Sequence, residues 1–111
     1  MIIEMLGVSV TEGKVRELGS AFASLVGPIQ VQPGCLSCRF FQGWANPGAL
    51  RMETRWESHD DLMRHLTSDL YKRLLLLIEL SASPPQLEFI TVNEIRGLDL
   101  VQEARPILPT E

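Results

Sequence analysis

Residues 50–57 carry the feature that most limits the fold, a strict alternation of side chains. The first set is mostly apolar (Leu50, Met52, Thr54, Trp56) and the interleaved set is charged (Arg51, Glu53, Arg55, Glu57). Because successive side chains of a strand point to opposite faces, this pattern predicts a strand with one covered and one charged face. The turn signal Asn46-Pro47-Gly48 precedes it, so we expect antiparallel pairing with a strand at residues 36–42.

The segments around this hairpin predict further strands and helices. Residues 2–10 are apolar and rich in β-branched side chains, and they predict a first strand. Apolar residues recur at helical spacing from Val15 to Val26, and Gly27-Pro28 is expected to end that helix. Ser58 is expected to cap a short helix, and a second helix is expected after Ser68.

The C-terminal part begins at Pro84-Pro85, which should end the helical region. Residues 87–95 predict the last strand. The predicted elements then follow in the order strand, helix, strand, strand, a helical region split in two, and strand. The sequence contains no internal repeat. This order indicates an α+β, ferredoxin-like split βαβ fold with a four-stranded antiparallel sheet and helices on one face. We expect one domain at residues 1–96 and an extended or partly disordered C-terminal arm or tail at residues 97–111.

The first and last strands are apolar on both faces, which predicts a partner for the uncovered side of the sheet. In the first strand Ile3 and Met5 alternate with Leu6 and Val8. Helices of the same chain can cover only one face, and a large apolar face left in water is unfavourable. The sequence therefore predicts a homodimer that packs through the open sheet faces.

Composition excludes several classes of protein. The 111 residues fit a single domain, and 10 Lys and Arg against 14 Asp and Glu give a net charge of −4. A nucleic-acid or anionic-membrane binder would need a basic patch, so neither partner is expected. No apolar run approaches the roughly 20 residues that span a bilayer. The first ten residues lack the basic start of a signal peptide, so we expect a cytoplasmic protein.

Two segments resemble the antibiotic biosynthesis monooxygenase (ABM) family. Gln32-Pro33-Gly34-Cys35-Leu36-Ser37-Cys38 is similar to the "PGC-x-S" entry of its second strand. Residues 56–68, which begin Trp56-Glu57-Ser58 and end His65-Leu66-Thr67-Ser68, are similar to its "W-E-S … L … H-L-x-S" segment. The resemblance spans roughly residues 1–96. It implies a dimeric α+β barrel that oxygenates phenolic, quinol or anthrone-like substrates, commonly without metal, flavin or haem.

The chain also departs from the family pattern. Many relatives carry a Glu two residues before the Trp, whereas this chain has Thr54. The haem-degrading branch has an Asn on the first strand, a Trp at the position of His65 and a haem-binding His at the position of Leu75. These residues are missing, so the resemblance argues against haem degradation, and no cofactor or metal is expected.

His65 is the candidate catalytic residue, since a neutral imidazole can take a proton from a phenol or anthrone. A buried His bonded to a backbone carbonyl is the alternative. Four candidates for substrate binding are Trp56, Tyr71, Asn93 and Arg39. For Trp56 the alternative is core packing, and for Tyr71 it is a hydroxyl at the surface. For Asn93 it is a backbone hydrogen bond on the face of Leu87 and Phe89. For Arg39 it is pairing with a Glu of the neighbouring strand.

Cys35 and Cys38 form a C-x-x-C string that could indicate a disulfide or a metal site. On a strand, positions i and i+3 point to opposite faces, and a zinc site needs two further ligands. We therefore expect both to be small core residues.

Three functions remain open at this stage. The first is a cofactor-independent monooxygenase that acts on a small aromatic, quinol or anthrone-like substrate with molecular oxygen. The second is a non-catalytic module of the same fold that binds or senses a small molecule. The third is an isomerase or cyclase of polyketide-like intermediates, because proton abstraction is common to the first and third.

Overall fold

A computed structural model describes residues 1–106, and its centre is one antiparallel sheet. The strands are β1 (Ile2–Ser9), β2 (Cys35–Gln42), β3 (Ala49–Trp56) and β4 (Gln86–Thr91). Their order across the sheet is β2-β3-β1-β4, with every neighbouring pair antiparallel. The predicted ferredoxin-like α+β fold is confirmed, and the predicted hairpin is the β2–β3 pair.

The helices lie between the strands and at the C-terminal end. A short 3₁₀ turn at Glu12–Lys14 leads into α1 (Val15–Ala23), which is followed by α2 (Val26–Gln30). Two helices connect β3 to β4, α3 (His59–Leu66) and α4 (Asp69–Ile78). The last helix is α5 (Leu98–Ala104).

Serine side chains cap α3 and α4, as the sequence predicts. Ser58 accepts a hydrogen bond from the backbone N–H of Asp61 at 3.2 Å, and Ser68 accepts one from that of Tyr71 at the same distance. Each cap supplies an acceptor to a helix N–H that has no partner within its own helix. The Ser68 hydroxyl also donates to the backbone oxygen of His65 at 2.6 Å. Ser68 therefore fixes the junction between the two helices.

The core lies between the sheet and the helices, on the face that the alternation of β3 predicts. Leu6 of β1, Met52 of β3 and Trp56 of β3 are all at most 3% exposed. The helices cover them with a set of buried apolar side chains, Leu18, Phe22, Ile29, Leu62 and Leu74. Helices α1 to α4 all pack on this side, and the opposite face of the sheet presents the charged residues of β3.

The prediction that Gly27-Pro28 ends a helix is wrong. The first helix ends earlier, at Ala23, and Gly27 and Pro28 both lie inside α2. Pro28 occupies the first turn of α2, where a backbone N–H would have no partner within the helix, so proline costs little there.

The last strand is shorter than predicted. Residues 87–95 were expected to form it, but β4 ends at Thr91, whose pairing partner is Ile2 at the start of β1. β1 is the only neighbour of β4 in the sheet, so pairing stops where β1 begins. Asn93 therefore lies in a bend beyond the strand and is exposed, which corrects its predicted place on the face of Leu87 and Phe89.

The expectation of an extended or disordered arm is also wrong for its first part, because residues 98–104 form α5. The Arg96 guanidinium donates to the carboxylates of Glu94, Asp99 and Glu103, which ties the preceding segment to the helix. None of the residues of α5 is buried. Residues 107–111 lie outside the described part of the chain.

No helix within residues 1–106 combines the length and the apolar character needed to cross a membrane.

Candidate active site

A buried carboxylate lies at the centre of the molecule's main polar cluster. Glu4 of β1 is 2% exposed and shares its strand face with Leu6, so it points into the core. The hydroxyl of Thr54 donates to Oε1 of Glu4 at 3.0 Å, and the hydroxyl of Tyr71 donates to Oε2 at 2.7 Å. Both oxygens thus have a hydrogen-bond donor, which a buried carboxylate needs to remain charged.

His65 lies beside this carboxylate and is 1% exposed. Its Nδ1 atom is 2.6 Å from Oε1 of Gln32, and its Nε2 atom is 3.4 Å from Oε1 of Glu4. Within the described residues Nε2 has no partner with full hydrogen-bond geometry. The two ring nitrogens therefore face different groups, a neutral amide on one side and a carboxylate on the other.

Aromatic rings hold the imidazole on both sides. The Trp56 ring stacks on the His65 ring with centroids 4.3 Å apart and an interplanar angle of 25°. Tyr71 contacts the imidazole edge-on at 5.0 Å and 82°. The indole N–H of Trp56 donates to the hydroxyl of Thr54 at 2.8 Å, so the ring that stacks on His65 is tied to the carboxylate cluster. This packing fixes the orientation of His65.

The surroundings determine where His65 carries its proton. A lone pair on Nε2 would face the carboxylate of Glu4 unfavourably, so a proton on Nε2 is the stable arrangement. When the Gln32 oxygen faces Nδ1, that nitrogen donates to it. If the amide turns to present its NH₂ group, Nδ1 accepts instead. In both arrangements Nε2 faces Glu4 at 3.4 Å, and Nδ1 is the atom whose partner can change.

Tyr71 is held in its protonated form. Burial raises the pKa of its phenol well above the ordinary value, and the hydrogen bond to Glu4 and the charge of that carboxylate raise the pKa further. Tyr71 therefore remains a donor to Glu4 at neutral pH and above.

Local sequence explains how Gln32 reaches the ring. The turn between α2 and β2 contains Gly34, whose φ of +78° is a backbone conformation that glycine adopts freely. A Cβ on Gly34 would lie 2.1 Å from Cγ of Asp61 in α3. The turn thus packs directly on the helix that carries His65, which places the Gln32 side chain against the imidazole.

The structure brings together three of the five predicted site residues. Trp56 and Tyr71 both contact His65, and all three side chains are buried. Arg39 is exposed on the opposite face of the sheet, where Glu53 is its partner in the strand register, and Asn93 is exposed beyond β4. A role in substrate binding or catalysis stays a prediction for all five.

Three members of the cluster were missed, namely Glu4, Thr54 and Gln32. The alternation of β1 contains the signal for Glu4, because Glu4 has the same parity as Leu6 and Val8, which face the core. No sequence pattern pointed to Gln32. Its contact depends on how the turn packs against α3.

Cys35 and Cys38 are both free thiols, half-buried and buried respectively. Burial raises the pKa of Cys38 to about 12, with smaller contributions from Cys35 and Glu4, so this thiol stays protonated. Within residues 1–106 no three His, Cys, Asp or Glu side chains are grouped so that they could hold a metal ion.

The polar cluster is closed, and the open cavities that the structure shows lie elsewhere. One of about 440 Å³ lies on the uncovered sheet face, between Gly7, Phe41, Arg51 and Gln86. Another of about 540 Å³ lies at the edge between α1 and β2, beside Arg16 and Phe40. Neither is lined by Glu4 or His65, so a ligand can reach the ring only if a side chain moves.

Comparison with known protein families agrees with this architecture. The sequence profile of the antibiotic biosynthesis monooxygenase family matches residues 1–75, which is more than half of the chain. The chain belongs to this family. The resemblance predicted from its two sequence segments is therefore confirmed. A search of curated protein sequences gave no match.

Solved structures share the fold of this ABM family member at low sequence identity. A protein from Deinococcus radiodurans that carries the family's name is 15% identical, with a TM-score of 0.79, covering 87% of this chain and 97% of its own. A similarly named protein from Nitrosomonas europaea is 15% identical, with a TM-score of 0.77 and coverages of 85% and 100%. A conserved protein from Methanosarcina mazei is 25% identical, with a TM-score of 0.72 and coverages of 81% and 91%.

A carboxylate lies next to the position of the missing Glu of β3 in this ABM chain. Thr54 occupies the position where many relatives are expected to carry that Glu, and its register partner on β1 is Glu4. The carboxylate beside the imidazole thus comes from the neighbouring strand.

Proposed function

We propose that this protein is a cofactor-independent monooxygenase that oxidises a phenol, quinol or anthrone-like substrate with molecular oxygen. The observation that supports it is the arrangement of His65, whose Nε2 faces the Glu4 carboxylate at 3.4 Å while Nδ1 faces an exchangeable amide. A carboxylate that holds one nitrogen of an imidazole orients the ring and stabilises the imidazolium that forms when the other nitrogen takes a proton.

The proposed reaction starts with proton transfer from the substrate to Nδ1 of His65. The resulting electron-rich anion passes one electron to O₂, and the radical pair combines into a carbon-bound peroxide. The peroxide anion takes the proton back from Nδ1 of His65, and the resulting hydroperoxide loses water, including its remaining C–H hydrogen, to leave a carbonyl. For an anthrone the balance is one CH₂ group and one O₂ converted into one C=O group and one H₂O. The substrate supplies the reducing electrons, and Trp56 and Tyr71 keep the base in place.

Oxygen uptake by the purified protein with a panel of hydroquinones, anthrones and 1-naphthol tests this function. We expect one O₂ consumed per carbonyl formed, with one labelled oxygen atom in the product. His65→Gln should lower the rate by about a hundredfold or more, the usual contribution of a general base. His59→Ala is the matched control, because His59 is exposed at the start of α3.

Two other outcomes would reject the proposal and favour the other functions. Compounds that raise the melting temperature but are not converted would indicate a binding or sensing module. Conversion that continues without oxygen would indicate an isomerase or cyclase.

The proposal includes a cytoplasmic homodimer that packs through the open sheet faces. The uncovered face carries Ile3, Met5, Phe41 and Ile90, and Phe41 and Ile90 are 44% and 38% exposed. The same face carries charged side chains such as Glu53 and Arg55, which are paired at 3.1 Å. A mixed apolar and charged face of this kind suits a self-complementary interface.

Light scattering tests the dimer. The wild-type protein should have twice the mass of one chain, and Ile90→Glu should shift it toward the mass of one chain. Leu76→Glu is the control, because Leu76 is an exposed apolar residue of α4 on the other side of the sheet. A wild-type mass of one chain would reject the dimer.

A further inference from the structure

One of the four side chains that contact the His65 ring reaches solvent. Glu4, Trp56 and Tyr71 are at most 5% exposed, whereas Gln32 is half-buried in the turn before β2. Displacing one of the three buried side chains would break the core or the carboxylate cluster. Among these four side chains, Gln32 is therefore the one that separates the imidazole from solvent.

The backbone beneath Gln32 is fixed, so only its side chain is free to move. Its N–H donates to the carbonyl of Ile29 at 3.0 Å, and its carbonyl accepts from the N–H of Cys35 at 3.1 Å. The backbone carbonyl of Gly34 also accepts from the N–H of Glu57 at 2.9 Å. These bonds anchor the turn on both sides, whereas the Gln32 amide is held by its hydrogen bond to Nδ1.

We propose that the Gln32 side chain is a displaceable plug over Nδ1 of His65, and that it selects ligands with an acidic aromatic hydroxyl. This inference rests on the proposed role of Nδ1 as the base. A phenolic hydroxyl that replaces the amide donates to Nδ1 at the position from which proton transfer starts. Gln32 is then a positioning and specificity-determining residue, and the hydroxyl takes over its hydrogen bond.

The preference for ligands with a hydroxyl follows from the replacement of one hydrogen bond at Nδ1 by another. Moving Gln32 aside leaves Nδ1 in a buried site without a partner, which is unfavourable unless the ligand restores the bond. With Nδ1 unprotonated, as its proposed role as a base requires, a phenol donates the missing hydrogen bond, whereas the corresponding methyl ether has no hydrogen to donate. Sites that hydrogen-bond a substrate hydroxyl reject analogues that lack it for this reason.

Acylation of histidine by diethyl pyrocarbonate, mapped by mass spectrometry, tests the plug in the full-length protein. His59 is exposed and should react in every variant, which provides an internal reference. His65 should be protected in the wild type and should react roughly tenfold faster in Gln32→Ala, the factor expected when one hydrogen bond that holds a closed state is lost. Gln30→Ala, an exposed glutamine two residues earlier, should leave His65 protected.

Two further variants separate a plug from general loosening. Gln32→Glu keeps the length and a polar end group that can hydrogen-bond to Nδ1, and it should restore protection of His65. Gln32→Met fills the same space without the hydrogen bond and should expose His65. Cys38, which is 6% exposed, should remain unreactive toward a thiol reagent in each variant if the core is intact. Reactivity of His65 that stays at the wild-type level in both Gln32→Ala and Gln32→Met would overturn the proposal.

A ligand experiment distinguishes failure of the plug from failure of the proposed function. In Gln32→Ala, 1-naphthol should protect His65 from acylation and 1-methoxynaphthalene should not. Equal protection by both compounds would overturn the selectivity for a hydroxyl. Protection by 1-naphthol without oxygen uptake in any variant would reject the monooxygenase function and leave the plug in place.

Discussion

The Oε1 atom of Glu4 lies within 3.4 Å of both Nε2 of His65 and the hydroxyl oxygen of Thr54. One carboxylate oxygen thus links a helix to two adjacent strands inside the core. Charged groups are rarely fully buried unless they are paired, and this one faces an imidazole and two hydroxyl donors. The cluster therefore gives the proposed base a fixed orientation.

Replacing the carboxylate of Glu4 with an amide tests that orientation. Glu4→Gln retains the shape but removes the negative charge that stabilises an imidazolium, so we expect oxygen uptake to fall roughly ten- to a hundredfold. Steady-state rates with the best substrate of the panel measure the effect. Glu88→Gln, an exposed glutamate of β4, should leave the rate unchanged. An unaltered rate in Glu4→Gln would show that Glu4 has no part in the reaction.

Removing the hydroxyl of Tyr71 should destabilise the fold. Tyr71→Phe leaves Oε2 of Glu4 without its 2.7 Å donor in a buried site, which should lower the free energy of unfolding by about 1–3 kcal/mol. Urea unfolding measures the change. Ser24→Ala removes an exposed hydroxyl bonded to the Ala21 carbonyl and should cost less than about 0.5 kcal/mol. Equal costs for the two variants would mean that the Tyr71–Glu4 bond adds nothing to stability.

The single tyrosine of the chain gives a direct pH test. The folded protein holds the pKa of Tyr71 above its ordinary value of about 10, through burial and through Glu4. A group with a raised pKa in the folded state adds stability that is complete below the unfolded pKa and is lost as pH rises toward the folded one.

We therefore expect the free energy of unfolding to fall above about pH 10, and tyrosinate absorbance to appear only as the chain unfolds. Alkaline titration of absorbance alongside circular dichroism measures both. Tyr71→Phe should lose the part of this pH dependence that belongs to tyrosine. Tyrosinate formation near pH 10 in a chain that is still folded would contradict the assigned environment.

Two glycines form a matched pair for testing the turn that carries Gln32. Gly34→Ala requires a Cβ at a φ of +78° and 2.1 Å from Asp61, so we expect a loss of about 2 kcal/mol or more in stability. Gly19 lies within α1, where an added Cβ would have nothing within 4 Å, so Gly19→Ala should add about 0.5–1 kcal/mol. Thermal unfolding of both variants measures the contrast. Comparable melting temperatures would show that the turn tolerates a side chain.

Much of the fold followed from local pattern in the sequence. The alternation of β3, the turn before it and the serine caps of α3 and α4 are short-range features, and each was predicted from neighbouring residues alone. The end of β4 was not predictable in this way, because it depends on where β1 begins on the other side of the pairing.

The candidate site also has one part that local sequence patterns predicted and another that depends on long-range packing. His65 and Trp56 were predicted from positions of a motif and Tyr71 as a possible donor, but the sequence did not show that the three would meet around a carboxylate of β1. The contact of Gln32 required knowledge of how the turn packs on α3, which involves Gly34 and Asp61 rather than Gln32 itself. Long-range packing was the missing information in both cases.

The packing of Gly34 against Asp61 also determines where residues can be inserted into this chain or deleted from it. An inserted or deleted residue in the turn before β2 would shift Gln32 away from the imidazole and break the backbone bond between Gly34 and Glu57. Residues 83–85 are exposed and lie far along the chain from this contact, so that loop is open to insertions and deletions. Among descendants of this sequence that keep the plug, we expect length variation in the loop before β4 and none between α2 and β2.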